Sequence, residues 1–365
     1  MSDVDVAIVG GGIGGSALGG FLARAGLRVL MLERETVFTD RVRGEWMAPW
    51  GVAELRRLGL YERFLAAGGH HLARHIGYDE LVPVAAASAN PLPIGALLPG
   101  IPGPLCLEHV VMQNEALAQA TESGAQLRRG LTDVRVTAGR QPSVAFVDDG
   151  ARASVSARLV VGADGRTSTV RRQLGLTLEE APIDHLIAGL LIDGAERMLA
   201  AFATPCVPNS EVIASARPAG PCRTYPSQDA WIDQPYCEGA VLIGDAAGYN
   251  DPIIGQGLSI TLRDARIVGE ILIGSDAWSA GCFEPYAVER RERLRRLRAS
   301  AVFATSLNAR FEPRDLERRK RAIGRIAADP ALLMPLVAIY IGPEVVDAAF
   351  FTDACHERVF AADAA

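Results

Sequence analysis

The sequence predicts an α/β fold: a parallel sheet with helical crossovers, interrupted by inserted segments and followed by a helical tail. Three observations predict it. "DVAIV", "GGGIGG", a helix-periodic "SALGGFLARAG" and the apolar "LRVLMLERE" (27–35) make a strand, glycine turn, helix and strand in succession, a βαβ unit. Two further buried-type runs, "ARLVVGADG" (157–165) and "AVLIGDAAG", each end in a glycine turn. Pattern breaks at 77–104 and 185–236 read as excursions that build a second layer.

Each element follows in order. After the βαβ unit, "DRVRGEWMAPWG" (40–51) is a loop, and "VAELRRLGLYERFLAAG" reads as one or two amphipathic helices. From 77 to 104 short strand-like pieces alternate with Pro, Gly and Ala. "NEALAQATESGAQL" (114–127) predicts a helix, and "RRGLTDVRV" to "SVAFVDDG" a hairpin or meander. Within 185–236, "HLIAGLLI" is an apolar run, "AERMLAAFA" is helix-like, and a Pro-rich stretch follows. The tail from about 280 is mostly helical.

Composition bounds the partners. The chain has 365 residues, 49% hydrophobic and 22% charged, with a formal charge of −6, which is ordinary for a globular protein and points away from nucleic acid. The basic runs "ERRERLRRLR" (289–298) and "RDLERRKR" (314–321) contain acids and read as solvated helix faces. Six cysteines (106, 206, 222, 237, 282, 355) show no metal-ligand spacing and read as reduced, in a cytoplasmic protein. No stretch is apolar enough for an integral membrane segment, and the N-terminal run lacks the basic flank and cleavage site of a signal peptide. His70, His71 and His75 lack acid or cysteine partners and read as loop or helix-end residues, with no metal expected.

The chemistry starts at the first turn. Gly10, Gly12 and Gly15 form G-x-G-x-x-G, with Ile13 and Gly14 inside it, between a predicted strand and a predicted helix. The first glycine permits the turn, the second lets backbone approach a pyrophosphate, and the third allows close helix packing. Glu33 ends the second strand, where a carboxylate can accept hydrogen bonds from ribose hydroxyls, and Arg34 adjoins it. The motif leaves FAD and NAD both open. "GDAAGYNDPIIGQG" (244–257) poses a further question: a chain leaving its core enters a segment almost without large side chains. Such backbone either turns tightly or lies close against a ligand.

"LVVGADGRTSTVRRQLG" (159–175) and "VLIGDAAGYNDPIIGQGLSITLRDA" (241–265) resemble paired signatures of the class A FAD-dependent monooxygenases, the aromatic hydroxylases related to para-hydroxybenzoate hydroxylase. The resemblance implies a Rossmann-like FAD-binding domain of GR2 type, an inserted and shortened β-sheet substrate domain, and a helical C-terminal tail. The expected division is 1–76, 105–184 and 237–280 for FAD, 77–104 and 185–236 for the insertion, and 281–365 for the tail. It further implies that Asp164, with Gly165, organises the pyrophosphate region and that Asp245 meets the ribityl chain. Pro252, Gly255, Gly257 and Leu258 would lie beside the isoalloxazine ring, at a helix N-terminus that favours negative charge on reduced flavin. Arg43, in a loop that also resembles the squalene epoxidase form, and Gln113, with His109 as its rival, are the remaining implied FAD contacts.

Trp46 and Trp50 either floor a substrate pocket or pack in the core. No catalytic base is legible. Relatives carry His after "GDAA" and Asn after "GxG"; here Gly248 and Ser259 stand there, and Gly248 resembles the geranylgeranyl-reductase branch. The implied activity is hydroxylation of an aromatic or polycyclic small molecule, with NAD(P)H as transient co-substrate and O₂ adding to reduced flavin as a C4a-hydroperoxide. The alternatives are a flavin-dependent reductase or oxidase of the geranylgeranyl-reductase type, and a FAD-binding protein without turnover.

Overall fold

The computed structural model describes residues 2–39, 44–189, 192–193, 198–199, 208, 213–214, 217–218 and 223–362. Its centre is a sheet built on β1 (Val4–Val9), which passes through the glycine turn into α1 (Ile13–Arg24) and returns as β2 (Val29–Glu33). Helices α2 (Pro49–Arg57) and α3 (His109–Glu122) follow, then β3 (Gln126–Arg129), β4 (Ala151–Gly162) and β5 (Ala240–Leu242). Two long helices follow, α4 (Gly257–Gly274) and α5 (Glu284–Asn308). The helices Pro313–Ala328, Met334–Ile341 and Asp353–Phe360 come after them, so the tail is mostly helical as expected.

The strands run β5-β4-β1-β2-β3, all parallel, with Tyr236–Cys237 added antiparallel at the β5 edge. Strand β1 is buried on both sides, as a central parallel strand must be. Val6 and Ile8 point into the helical layer, where α1 packs against α3 and α4. Val4, Ala7 and Val9 point the other way, onto a layer that includes Val144, Phe146 and Val155 of an antiparallel meander. That meander, Thr132–Thr137 with Ser143–Asp148 and the first half of β4, is the hairpin the sequence predicts.

Several boundaries differ from expectation. The helix expected at 114–127 runs His109–Glu122, because Val110, Val111 and Met112 extend its apolar face and Gly124, at φ +101°, ends it. Between 77 and 104 the expected strand pieces are replaced by a helix, Val84–Ala89, since an alanine-rich segment favours helix. The helix-like "AERMLAAFA" falls mostly outside the described residues; Met198–Leu199 within it is strand, paired with Ile213–Ala214. His185–Gly189 pairs likewise with Arg223–Ser227 and Ile192–Asp193 with Arg217–Pro218, each an antiparallel pair separate from the main sheet.

Candidate functional site

Three turns sit side by side at the carboxyl edge of the sheet, because β1, β4 and β5 are neighbours. Gly10 N–H donates to Leu32 O at 2.8 Å, Ala163 N–H to Val9 O at 2.8 Å and Ile243 N–H to Gly162 O at 3.0 Å, so each strand end is tied to the next. In an open parallel sheet this edge is where ligands bind.

The first turn is built as the motif requires. Gly10 has φ +107°, and a Cβ there would lie 2.4 Å from Ala163 O. A Cβ at Gly15 would lie 1.9 Å from Gly10 O, whereas one at Gly12 would meet nothing within 4 Å. The tight positions are internal, and the free one faces outward where a pyrophosphate would approach. No side chain caps α1, so its first N–H groups are available to an anion. Ile13 is core, and Gly14 lets α1 meet Thr261 of α4. Glu33 is buried at the turn: Oε2 accepts from Gly11 N–H at 2.6 Å and Oε1 from Glu35 N–H at 2.8 Å. A carboxylate accepts about four hydrogen bonds, so both oxygens keep capacity for a ribose. Arg34 instead reaches out to Glu35 at 3.1 Å and is solvent-exposed.

Asp164 has a role in the protein's own backbone. Its carboxylate accepts from Ser168 Oγ (2.5 Å), Thr169 N–H (2.6 Å) and Val170 N–H (3.1 Å), capping the helix Thr169–Gln173. It shapes the turn beside Gly10 with its oxygens already engaged. Asp245 is half-buried in the turn Gly244–Ala247, directly after β5.

The glycine-rich segment is held from behind and bare in front. Asp264 on α4, fully buried, accepts from Gly244 N–H at 2.9 Å, Arg290 Nε at 2.9 Å and Arg293 Nη2 at 2.6 Å. Arg290 also donates to the carbonyls of Ala247 (3.0 Å), Gly244 (3.2 Å) and Gly248 (2.9 Å). Burial pushes the Asp264 carboxyl up, but the two guanidinium groups outweigh it and hold it below the usual carboxylate range. Further on, Asp251 accepts from Ile253 N–H at 2.9 Å, Gly255 takes a left-handed φ of +63°, and Gln256 donates to Ile254 O at 2.6 Å. Ile254 and Gln256 are buried, while Pro252, Gly255 and Gly257 between and beside them are exposed, with Leu258 half-buried. A Cβ at Gly257 would meet nothing within 4 Å, and no side chain caps α4.

Helices α1 and α4 lie side by side and point the same way: Gly14 meets Thr261 near their starts, and Leu18 and Phe21 meet Gly269 further along. Two uncapped helix N-termini, one preceded by the half-buried Gly12 and the other by the exposed Gly255, therefore converge on one edge. That arrangement suits a ligand that is anionic in two places.

Other predicted residues land differently. Trp50 is 1% exposed, and its indole N–H donates to Gln256 Oε1 at 2.8 Å, so it supports the turn from within the core instead of lining a pocket. Trp46 stands edge-on to Tyr340 and close to Gly255. Arg43 lies outside the described residues. Gln113 is half-buried on α3, and His109 Nδ1 is 3.3 Å from Gly44 O, tying α3 to the loop. His71 sits 2.9 Å from both Tyr61 OH and Gly103 O. Gly248 has φ +117°, and a Cβ would come within 2.4 Å of Ala230 O in the pairing of Gly248–Tyr249 with Ala230–Trp231. Glycine there is a backbone requirement and carries no information about reaction type. Ser259 is buried where α2 approaches at Gly51.

Sequence reasoning missed Asp264, Arg290 and Arg293. "ERRERLRRLR" is only partly a solvated face: Arg290 and Arg293 are buried, and with Leu294 and Leu297 they repeat at helical spacing on one side of α5. That stripe was the available signal. Arg319, in the other basic run, is also buried and pairs with Asp79 and Glu80 at 2.5 Å each.

Comparison with known proteins agrees with this geometry. The model of a family described as FAD binding domain matches residues 3–197, more than half of the chain. A rifampicin monooxygenase of Streptomyces venezuelae is 26% identical over 339 residues, covering 78% of this chain and 68% of that protein. The chain spans 58% to 68% of the length of the first curated relatives it matches. Among solved structures, p-nitrophenol 4-monooxygenase from Pseudomonas putida DLL-E4 has a TM-score of 0.74 at 19% identity, covering 92% of this chain and 97% of that one. An aklavinone-11 hydroxylase, solved with FAD and aklavinone, has a TM-score of 0.66 at 19% identity, covering 84% and 69%. At that identity the structures show the fold alone.

Proposed function

This chain belongs to the FAD binding domain family, among the class A flavoprotein monooxygenases, and from that premise we propose that it hydroxylates an aromatic or polycyclic small molecule using NAD(P)H and O₂. The observation that carries the reading is the convergence of two uncapped helix N-termini, each preceded by glycine backbone, at one sheet edge. FAD fits both places. Its pyrophosphate would lie at Gly12 and the start of α1, and its adenosine ribose at Glu33. Its ring would lie along Pro252–Gly257, where the exposed Gly255 and Gly257 leave backbone open.

When bound, FAD supplies the redox chemistry, passing electrons from NAD(P)H to O₂ and one oxygen atom to the substrate. The chain's own contribution is placement and charge. The α4 N-terminus offers N–H groups and the positive end of its dipole to negative charge beside it. The Asp264–Arg290–Arg293 network fixes the Gly244–Gly248 turn, and Trp50 with Gln256 fixes the next one, so the exposed backbone is rigid without side chains of its own. The chain has a single G-x-G-x-x-G, which FAD would fill, so NAD(P)H would bind transiently near the ring. A few glycines and Pro252 leave the ring room to shift outward toward it.

The reductase alternative loses its main support, because the backbone requires Gly248. The test is direct. The purified protein should be yellow and release FAD on denaturation. It should oxidise NAD(P)H slowly alone and faster with a suitable hydroxyarene, and place one atom from ¹⁸O₂ in the product. Unlabelled product, with turnover undiminished in the absence of O₂, would transfer the protein to the reductases. Tightly held flavin that NAD(P)H cannot reduce would indicate a binding protein without turnover.

A further inference from the structure

Behind the Pro252–Gly257 turn lies a cavity of about 310 Å³. It is bounded by the segment 181–184, by Ser227 and Asp229, by Asp251, and by the face of α5 that carries Val302. Its wall is largely apolar, and polar atoms at and just behind it lack partners. Ser227 is fully buried, and its hydroxyl has no partner among the described residues. His185 faces Ser227 across the antiparallel pair, and neither ring nitrogen is hydrogen-bonded. The nearest carboxylate oxygens are 3.6 Å from Nδ1, on Asp184, and 3.9 Å from Nε2, on Asp251. Both gaps are too long for hydrogen bonds. Asn250 donates to Asp229 but leaves its own Oδ1 without a partner.

Buried polar atoms nearly always find partners. Of nine unpartnered buried side-chain atoms among the described residues, four belong to His185, Ser227 and Asn250. Ser227 lines the cavity, His185 faces Ser227 across the strand pair, and Asn250 is bonded to Asp229 of the wall. The four atoms therefore group beside one cavity, the pattern of a site whose partners come from a ligand. The rim is apolar: Ile183 and Val302 line it and are more than half exposed. The charges select against an anion, and the apolar rim favours an uncharged body. Asp184, Asp229 and Asp251 border the site, and the guanidinium of Arg310 is committed to Asp184 at 2.7 and 2.8 Å.

We propose that Ser227 and His185 form a polar subsite that hydrogen-bonds the hydroxyl or carbonyl end of a neutral, otherwise apolar ligand, whose body leaves between Ile183 and Val302. The proposal deepens the monooxygenase reading and rests on it only in taking that ligand to be the molecule oxygenated. A serine hydroxyl both donates and accepts, and the imidazole adds two ring nitrogens beside it, so together they read a hydroxyl or carbonyl group. Asp251 immediately precedes Pro252, which places the subsite one residue from the backbone assigned to the flavin ring.

The test uses a matched pair of probes, 1-naphthol and naphthalene, in equilibrium dialysis against the FAD-loaded full chain. The wild type should bind 1-naphthol about tenfold more tightly, the yield of one or two well-made hydrogen bonds. Ser227→Ala and His185→Leu should each reduce that ratio about fivefold and leave naphthalene affinity within about twofold. Ser227→Ala removes one oxygen atom and keeps the test decisive if His185→Leu fails to fold. Equal affinity for the two probes in the wild type, absence of binding included, overturns the subsite, as does a ratio unchanged by Ser227→Ala. Dialysis needs no turnover, so a protein that keeps the ratio but inserts no oxygen supports the subsite while refuting the monooxygenase reading.

Discussion

Asp264 and Asp229 are both buried carboxylates, and they live in opposite circumstances. Asp264, behind the glycine turn, is met by two guanidinium groups and a backbone N–H, all from this chain. Asp229, beside the cavity, is met by Asn250 and the Asp251 N–H, with no guanidinium at ion-pair distance among the described residues. Burial pushes its carboxyl up, the hydrogen bonds only partly oppose this, and Arg298 acts from farther away. The difference separates scaffold from receptor. Where the buried charges are matched internally, the fold is rigid and presents backbone to a cofactor. Where matches are missing, the fold has kept capacity for something that arrives later.

The largest expected effect tests the matched side. Asp264→Ala leaves Arg290 and Arg293 buried without a counter-charge and should cost about 3–5 kcal/mol in denaturant unfolding, with FAD retention falling alongside. A loss below about 1 kcal/mol would mean that the network is not what holds the turn. Next, Glu33→Gln keeps the shape but removes a charge-assisted acceptor, and FAD affinity measured by dialysis should drop on the order of ten- to a hundred-fold, about 1.5–3 kcal/mol. Unchanged affinity would show that the spare capacity of Glu33 does not reach the ribose. Gly248→Ala places a Cβ against Ala230 O at a positive φ and should destabilise by about 1–3 kcal/mol without altering reaction type. A change of reaction type in that variant would give Gly248 a part in the reaction as well as in the backbone.

The smallest effect tests the unmatched side and has the opposite sign. Asp229 has a raised carboxyl value in the folded state, so its contribution is present below about pH 4, its unfolded value, and is lost as pH rises through the folded one. Asp229→Asn should therefore gain on the wild type by about 1 kcal/mol between pH 4 and 7, read as a higher Tm near neutrality. Asp264 behaves inversely: its lowered value keeps its contribution above about pH 4 and gives it up as pH falls through the folded value. Two acids that titrate alike would erase the distinction between the regions.

Much of the matched region is legible in the order of its residues. The first turn needs residues without Cβ at Gly10 and Gly15, an acid at Glu33 and a helix start at Ile13, all within one short stretch. "GDAAGYNDPIIGQG" signals bare backbone by composition, and Pro252, Gly255 and Gly257 are exposed between buried neighbours. The functions of Trp50 and the α5 arginines are not legible in that way. Trp50 bonds Gln256, more than two hundred residues away in the chain, and nothing local distinguishes a core indole from a pocket floor.

The sequence by itself determined the parallel sheet, the two glycine segments and the family they belong to, because strand periodicity and the freedom of glycine are properties of neighbouring residues. Tertiary structure alone decided which charges are buried. Arg290 and Arg293 look solvated in a helix read by itself, yet they end beneath the Gly244–Gly248 turn because α5 packs there and Asp264 on α4 offers them a carboxylate. It alone also decided which polar atoms go unmatched. Ser227 and His185 meet only when their strands pair, and whether a hydroxyl or an imidazole is satisfied depends on what every other segment brings within about 3 Å of it.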